Sequence, residues 1–375
     1  MPDFLDWLDA ASVRRRDLGL VRTLRPSDTG DLLDLAGNDY LGLRTHPHVI
    51  ERALEATRRH GGGAGASRLV TGTLSVHEEV EAGLVALTGA PTALVLSTGY
   101  AANLAAVTAL ADDDTLIVSD AHAHASLIDG TRLARGAVAV APHNDLDAVR
   151  SLVTGRSQSR AIVIVESIYS VLGDAAPLHD LLALAAETGA VLVVDEAHAL
   201  GASGTHGEGL VSEALGDGPW PVNVVVTGTL SKALGSQGGM VLGDPAVREH
   251  LVNTARSFIY DTGLAPAAAG AALGALDVVS DTPDLPIRLR HNASRLAAAC
   301  GVPTPAGAVM SVPMPGPAEA LAAVAEAERR GLRIGCFRPP STPDGISRLR
   351  LTAHAHHTED DIASATTVLE DLVPR

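Results

Sequence analysis

Polar residues that could do chemistry follow five short apolar runs of the sequence. These polar segments are residues 97–103, 119–126, 166–170, 195–198 and 227–232. If the runs are parallel strands, their carboxyl ends meet at one edge of a sheet, where α/β proteins bind their ligands. The spacing therefore predicts one polar site assembled from five loops.

The strongest candidate in these segments is Lys232, the only lysine among 375 residues. Its primary amine can form a Schiff base with a carbonyl compound, which an arginine cannot do. The residue follows the last of the five runs and lies between Gly228 and Gly235. A surface lysine without a role is the alternative, and the position after a strand favours a catalytic amine.

Asp195 closes the apolar run 190–194, where a carboxylate is costly unless it meets a cation. The protonated pyridine nitrogen of pyridoxal phosphate is such a cation, and the pairing keeps the ring an effective electron sink. His198 follows three residues later and could reach the ring hydroxyl. The competing interpretation of Asp195 is a helix N-cap at a strand–helix turn.

Three further segments suggest contacts to the same ligand. Gly99 and Tyr100 look like a helix start, where backbone N–H groups and the helix dipole bind anions such as phosphate. Thr229 adds a hydroxyl three residues before Lys232, and His124 could stack on a ring. Taken alone, Gly99 and Tyr100 could form an ordinary tight turn, and His124 could be a core histidine.

The elements that must position these residues come from seven apolar runs. The runs cover residues 93–96, 116–118, 138–140, 161–165, 190–194, 222–226 and 240–242, and helix-like segments such as 145–153 and 178–187 lie between them. Buried strands alternating with helices predict a mostly parallel, seven-stranded sheet with helices on both faces, an α/β fold.

The sequence outside these runs suggests three parts. Residues 1–35 begin with an amphipathic helix, residues 36–262 form the large α/β domain, and residues 263–375 form a smaller α+β domain. An alanine-rich helix at 264–280 is expected to bridge the two domains. The small domain is predicted to contain a helix at 317–331 and strands near 310–312, 332–334 and 348–351.

Composition and charge narrow the class of protein. The formal net charge of −16 argues against nucleic acid and anionic membrane surfaces as partners. No uncharged apolar stretch approaches eighteen residues and the beginning of the chain is not signal-like, so a cytoplasmic enzyme is expected. The two cysteines do not have a metal-type spacing. The cluster His354, His356 and His357 is interpreted as a solvated turn, and no metal is expected.

The chain resembles the α-oxoamine synthases, fold-type I pyridoxal-phosphate enzymes that condense an amino acid with an acyl thioester and release carbon dioxide. The resemblance runs almost end to end. It is carried by segments 38–43, 67–72, 97–103, 124–127, 173–178, 195–198, 229–232 and 338–350, in that order. The resemblance implies the fold-type I architecture and pyridoxal 5′-phosphate as cofactor.

The resemblance also implies roles for the residues at the cofactor. Lys232 would hold it as a Schiff base and later move the Cα proton of the amino acid. Asp195 would pair with the pyridine nitrogen, and His124 would stack on the ring. The other implied contacts are His198 and Ser170 near the ring hydroxyl, and Gly99, Tyr100 and Thr229 at the phosphate.

Substrates and subunits follow from the same resemblance. It is nearest to the family members of biotin synthesis, which implies L-alanine and a pimeloyl thioester of coenzyme A or of a carrier protein. Arg350 would bind the amino-acid carboxylate with Asn38 nearby, and Arg22 and Ser341 would contact the acyl substrate, beside His124. Ser341 stands where those relatives usually carry threonine. Thr262 would reach the phosphate of the neighbouring subunit, which implies a homodimer with shared active sites.

Other functions stay open at this point. The same chemistry serves family members that make 5-aminolevulinate, 2-amino-3-oxobutyrate or a sphingoid base. A plain aminotransferase of the same fold and a catalytically silent, cofactor-binding regulator are further alternatives.

Coenzyme A is strongly anionic, so the net charge of −16 should not help to steer it to the protein. A local basic patch could offset this charge. Arginines near the N-terminus are a candidate, and they are Arg14, Arg15, Arg16, Arg22 and Arg25. A solvated helix face is the competing interpretation of Arg14–Arg16.

Overall fold

A sheet of seven strands and a smaller sheet of four strands organise the chain. The computed structural model describes residues 3–18, 20–22, 24, 26, 32–339, 341–342 and 344–374. Arg25 and Pro340, which entered the predictions above, lie outside the described residues.

The described residues form eleven strands. In chain order they are β1 (Leu33–Leu35), β2 (Thr92–Leu96), β3 (Thr115–Asp120), β4 (Ala137–Ala141), β5 (Arg160–Glu166), β6 (Val191–Asp195), β7 (Val224–Thr229), β8 (Gly239–Gly243), β9 (Val309–Pro313), β10 (Leu332–Phe337) and β11 (Arg348–Thr352).

Helices connect and cover these strands. They are α1 (Phe4–Asp17), α2 (Pro47–His60), α3 (Ser75–Thr88), α4 (Gly99–Leu110), α5 (Ala125–Leu133), α6 (Leu146–Thr154), α7 (Leu178–Thr188), α8 (Leu210–Leu215), α9 (Pro245–Thr254), α10 (Arg256–Ile259), α11 (Pro266–Asp281), α12 (Leu285–Cys300), α13 (Pro317–Arg329) and α14 (Glu359–Leu372), with a 3-10 turn at Leu43–Thr45. None of these helices is long and apolar enough to cross a membrane.

The large sheet has the strand order β2-β8-β7-β6-β5-β3-β4, and β8 alone among these strands runs antiparallel to its neighbours. All seven predicted strands are present, so the mostly parallel, seven-stranded sheet is confirmed. Successive residues of its strands face opposite cores: Val163 points to one apolar cluster and Ile162 to the other. Both faces are therefore covered, as the continuous apolar runs predicted.

Two details of the predicted strands are corrected. The run at 222–226 becomes a strand only from Val224, and Val222 is exposed. The run at 138–140 lies in β4, where Val138 and Val140 are largely exposed. The physical reason is that β4 is the last strand of the sheet order, so burial from neighbouring elements is incomplete.

The small sheet has the order β1-β10-β11-β9. Its strands β9, β10 and β11 and the helices α11 and α13 match the predicted elements of the C-terminal region. Strand β1 was not predicted as a strand: it pairs in parallel with β10 through Leu33 and Leu332. A three-residue strand whose partner is 299 residues later leaves no local pattern in the sequence. The domain boundaries near 35 and 262 stay a prediction.

Residues 1–32 form a separate unit, and its described helix is α1. The predicted N-terminal helix is thus present. None of its residues is buried, and the apolar Phe4 and Trp7 are more than half exposed.

One buried ion pair ties the start of the large sheet to its covering helix. The Arg68 guanidinium donates to Glu81 Oε1 from both terminal nitrogens, each at 3.1 Å, and to the Val95 carbonyl oxygen at 3.2 Å. The Val95 N–H in turn donates to Glu81 Oε1 at 3.0 Å. The pair connects α3 to the middle of β2. Both side chains are buried, and Arg248 also donates to Glu81 Oε2 at 3.1 Å, so the buried carboxylate is shared by two guanidinium groups.

Replacing Arg68 by alanine should lower the free energy of unfolding by about 3 kcal/mol, because it removes the more buried of the two guanidinium groups that pair with Glu81. Equilibrium urea unfolding at equal protein concentrations measures the change. Arg59→Ala is the matched control: Arg59 is exposed and lies 4.0 Å from Glu79. It should cost no more than about 0.5 kcal/mol. Equal losses in the two variants would contradict the assignment.

Candidate active site

The predicted polar loops meet at the carboxyl edge of the large sheet, around a cavity of about 240 Å³. Its lining includes most of the residues that were expected to hold the cofactor, namely Gly99, Tyr100, His124, Asp195, His198, Thr229 and Lys232. The sheet explains this arrangement, because β2, β5, β6 and β7 run in the same direction and end beside one another.

Lys232 lies three residues beyond the end of β7, and its Nζ is 2.8 Å from His198 Nε2. Burial is the main cause that lowers the pKa of Lys232 to about 8, and the charge of Asp195 partly opposes this shift. About a tenth of this amine is therefore neutral and nucleophilic at pH 7, far more than for an ordinary lysine.

His198 connects the lysine to a chain of hydrogen bonds. Burial, and then the charge of Lys232, lower the pKa of His198 well below its usual value, so the ring is neutral. With Nε2 accepting from Lys232, the Nδ1–H donates to the Tyr40 hydroxyl at 2.6 Å, and Tyr40 donates to Asn38 Oδ1 at 3.1 Å. The lysine is thus held at a defined place by a neutral acceptor.

Asp195 ends β6 and is 4% exposed. The Asn103 amide donates to its Oδ2 at 2.7 Å, and the Ala197 N–H donates to its Oδ1 at 2.9 Å. Both donors are neutral, so they orient the carboxylate without neutralising its charge. The side chain faces a cavity that could admit a cationic ring.

Asn103 is a site residue to which the sequence analysis assigned no role. Its amide also donates to Ser126 Oγ at 2.8 Å, and its Oδ1 accepts from the Thr227 hydroxyl at 2.6 Å. Ser126 then donates to His124 Nδ1 at 2.7 Å, which leaves His124 with a proton on Nε2. Burial is the main cause that lowers the pKa of His124, so the ring is neutral.

A second unassigned residue is Glu166, which ends β5 directly opposite Asp195. Burial, and then the charge of Asp195, raise the pKa of Glu166 well above its usual value. Its Oε2 accepts from the Ser170 N–H at 3.2 Å. The sequence carried a signal for this residue, because Glu166 closes an apolar run in the same way as Asp195.

The start of α4 forms a narrow cradle. A β-carbon at Gly99 would lie 2.9 Å from Thr229 Cβ, and one at Gly239 would lie 2.1 Å from the Thr98 carbonyl oxygen. Only glycine therefore allows these backbones to approach each other. The Thr229 hydroxyl lies beside this helix start and is 2.7 Å from Ser231 Oγ. The N–H groups of this helix start are suited to an anion, whereas the Thr229 hydroxyl donates to the Gly238 carbonyl oxygen at 2.9 Å.

A second cavity of about 630 Å³ shares His124, His198 and Lys232 with the first. Asn38, Ser170, Ser341 and Arg350 line it. The Arg350 Nε–H donates to the Ser170 carbonyl oxygen at 2.7 Å, and both terminal nitrogens lie 3.3 Å from Asn38 Oδ1. Two further N–H groups of the guanidinium stay available for a carboxylate ligand.

Three predicted site residues lie elsewhere or are arranged differently. Tyr100 lines the first cavity, but its hydroxyl donates to Asp129 Oδ2 at 2.5 Å. Thr262 is exposed and lines neither cavity among the described residues; the adjacent Asp261 accepts a hydrogen bond from Ser97 at the end of β2. Arg22 belongs to the separate unit of residues 1–32.

The interpretation of the histidine cluster as a solvated turn is wrong for two of its members. His354 and His357 are 2% and 8% exposed, whereas His356 is exposed. The segment lies against Tyr40, whose carbonyl oxygen accepts from the Ala355 N–H at 2.7 Å, and this packing excludes water from two of the rings.

Comparison with known proteins agrees with this site. The family described as aminotransferase class I and II matches residues 30–369. A solved structure of SPT with pyridoxal phosphate as internal aldimine superposes with a TM-score of 0.90 at 29% identity, covering 99% of this chain and 98% of that one. Serine palmitoyltransferase of Sphingomonas wittichii gives 0.91 at 28% identity, with both chains fully covered. The fold is that of the fold-type I pyridoxal-phosphate transferases, as predicted.

The sequence relatives are more specific. The 8-amino-7-oxononanoate synthase of Mycobacterium sp. (strain KMS) is 52% identical over 372 residues, which are 98% of this chain and 97% of that protein. The protein of the same name from Mycolicibacterium smegmatis is also 52% identical, with the same coverage. The chain belongs to the 8-amino-7-oxononanoate synthase family.

The lowered pKa of Lys232 can be tested by chemical labelling. In protein freed of bound cofactor, the rate at which cyanate carbamoylates Lys232 should rise with pH and level off above about 8, because only the neutral amine reacts. Peptide mass spectrometry separates this single lysine from the α-amino group. Free Nα-acetyl-lysine in the same tube should keep accelerating up to about pH 10.4. A Lys232 profile that follows the free amino acid would contradict the assignment.

Proposed function

We propose that the protein condenses L-alanine with a pimeloyl thioester to give 8-amino-7-oxononanoate, carbon dioxide and the free thiol, a step of biotin synthesis. The observation that carries the proposal is the position of Lys232, whose amine lies at the border of two cavities. One cavity has the buried carboxylate of Asp195, and the other has the guanidinium of Arg350. Full-length relatives at 52% identity, named for this product, support the choice within the family.

Pyridoxal 5′-phosphate fits the first cavity on three observations. Among the described residues, the hydrogen-bond donors to the buried Asp195 carboxylate are neutral, and a pyridinium would add a positive charge there. The glycine-lined cradle at Gly99 and Thr229 suits a phosphate, with Tyr100 at its rim. Lys232 offers the amine that would hold the cofactor covalently. When bound, the cofactor supplies an electron sink that stabilises negative charge at the Cα of the amino acid.

The residues around this sink have separate tasks. Lys232, with its lowered pKa, can take a proton from the Cα of alanine and return one after carbon dioxide leaves. His198 accepts a hydrogen bond from the amine and so fixes where that base stands. Neutral His124 presents its ring to both cavities, where it can cover the cofactor and the substrate.

Arg350 is proposed to bind the alanine carboxylate. Its Nε–H and two terminal N–H groups are held by Ser170 and Asn38, so the guanidinium is pre-oriented before substrate arrives. Its free N–H groups can form the paired hydrogen bonds that carboxylates favour. Arg350 and Lys232 line the same cavity, so an amino acid held by its carboxylate at Arg350 would lie in the cavity that also contains the amine.

Contacts to the acyl substrate and to a second subunit complete the proposal. Ser341 lines the larger cavity, which suits an acyl chain. Contact between Arg22 and the thioester, and a homodimer in which Thr262 reaches the partner's cofactor phosphate, stay predictions. The exposed position of Thr262 is compatible with such a reach across an interface.

Substrate choice is tested by offering L-alanine, glycine and L-serine, each with pimeloyl, acetyl, succinyl and palmitoyl thioesters of coenzyme A, and by measuring thiol release. Alanine with pimeloyl-coenzyme A should give the highest kcat/KM, at least tenfold above every other pair. The product should carry one amino group. It should contain one carbon fewer than alanine and the pimeloyl group together, because that carbon leaves as carbon dioxide. Highest activity with serine and palmitoyl thioester, or with a keto acid in place of a thioester, would overturn the proposal.

Borohydride reduction tests the cofactor and its anchor independently of turnover. Reduction of the cofactor-bound protein should add the mass of reduced pyridoxal phosphate to the peptide that contains Lys232. Lys232→Ala should bind the cofactor only reversibly, acquire no label and lose condensation by at least a thousandfold. His179→Ala, a change of an exposed histidine, is the control and should label normally. Label on the α-amino group alone would be inconsistent with the proposed anchor.

A further inference from the structure

The loop after β11 brings three imidazoles together outside the active site. One ring nitrogen from each of His354, His356 and His357 lies within 4.8 Å of the others. The ring centroids are 4.7 to 5.4 Å apart. We propose that these three histidines bind one late first-row divalent metal ion, such as Zn²⁺ or Co²⁺, with water in the fourth position.

The first argument is the hydrogen-bond state of His354. Its Nδ1 lies 2.9 Å from the carbonyl oxygen of Asp39, which can only accept, so Nδ1 carries the proton and Nε2 has a free lone pair. The Thr352 hydroxyl lies 3.3 Å from Nε2, but donates its one proton to the Gly37 carbonyl oxygen at 2.7 Å. Nε2 of this buried ring therefore faces another lone pair, and a metal ion would satisfy it.

The second argument is independent and concerns His357. Its Nδ1 is buried and has no hydrogen-bond partner among the described residues. A buried polar atom without a partner costs about 1–3 kcal/mol, so such an atom calls for a physical reason. His354 Nε2 and His357 Nδ1 belong to rings whose centroids are 4.9 Å apart. One metal ion could accept the lone pairs of both nitrogens.

The backbone of the loop is already fixed for such a site. The Asn292 amide donates to the carbonyl oxygens of His354 and His357, at 2.9 and 3.3 Å. The His356 ring lies against the bare backbone of Gly42, where a β-carbon would be 2.4 Å from its Nδ1. The contact of His354 with the Asp39 carbonyl is the kind of outer hydrogen bond that orients metal-bound histidines.

The chemistry of the donors selects the class of ion. Three neutral imidazoles without a carboxylate favour Zn²⁺, Co²⁺, Ni²⁺ or Cu²⁺ over Mg²⁺ or Ca²⁺. Zn–N bonds of about 2.0–2.1 Å put tetrahedral ligand atoms about 3.4 Å apart, so the rings must close by about 1.4 Å on binding. The exposed His356 can make this movement, and it gives the ion a path from solvent.

The site also touches the active-site network. The His354 ring packs edge-on against Tyr40, with centroids 6.5 Å apart, and the Tyr40 hydroxyl bonds His198. A bound ion would therefore restrain the ring behind the histidine that holds Lys232.

Titration of the full, cofactor-bound protein with Co²⁺ tests the proposal. Visible absorption of four-coordinate Co²⁺, at wavelengths beyond the cofactor band, should saturate at one ion per chain and disappear when Zn²⁺ is added. His356→Ala and His357→Leu should each weaken binding by at least tenfold. His179→Ala and Cys336→Ser should bind as the parent protein does. No saturable signal in the parent protein, or loss of the signal in Cys336→Ser, would overturn the site.

Melting temperatures show whether a variant fails to bind the metal ion because it is misfolded. In the presence of a chelator, His357→Leu should melt at or above the parent temperature, because leucine fills the space and removes the unpartnered nitrogen. Added Zn²⁺ should raise the melting temperature of the parent protein and leave that of His357→Leu unchanged. Equal Zn²⁺-dependent shifts in both proteins would place the ion elsewhere and refute the proposal.

Discussion

The charge of Asp195, which is buried at the end of β6, is the constraint around which the site is organised. A carboxylate with so little exposure is stable only when its surroundings compensate for lost water. The Asn103 amide, on α4, and the Ala197 N–H each donate a hydrogen bond to one carboxylate oxygen and so hold both oxygens in place. A protonated ring in the cavity is the cation that we propose to supply further compensation, beside the amine of Lys232.

The same carboxylate determines how its neighbours are protonated. Asp195 and Glu166 are register partners on β6 and β5, and two carboxylates this close cannot both be charged at low cost. Asp195 has two donors, whereas Glu166 receives one and keeps Oε1 without a partner among the described atoms. The proton therefore resides on Glu166, and the negative charge stays where the ring nitrogen would meet it.

The large sheet and most of the residues at its carboxyl edge could be predicted from the sequence. The reason is that parallel strands buried on both faces give continuous apolar runs whose ends align. Lys232, Asp195, His198 and Gly99 were found in that way. The roles of Asn103 and Glu166 were not predicted, because they depend on contacts between loops. Both residues nevertheless lie in polar segments that were predicted to form the site. Burial of His354 was missed for the same reason: its packing partner Tyr40 lies 314 residues earlier in the chain.

A continuous chain of hydrogen bonds joins the two halves of the active site. It runs from Lys232 through His198 and Tyr40 to Asn38, which also receives the N–H groups of Arg350. Burial raises the pKa of Tyr40 to about 12, so its hydroxyl keeps its proton and the direction of donation stays fixed. Asn38 Oδ1 accepts from both the Tyr40 hydroxyl and the Arg350 guanidinium. The proposed base and the proposed carboxylate-binding group are thus positioned by one shared acceptor, which explains why residues on β11 and near β1 belong to a site built at the edge of the large sheet.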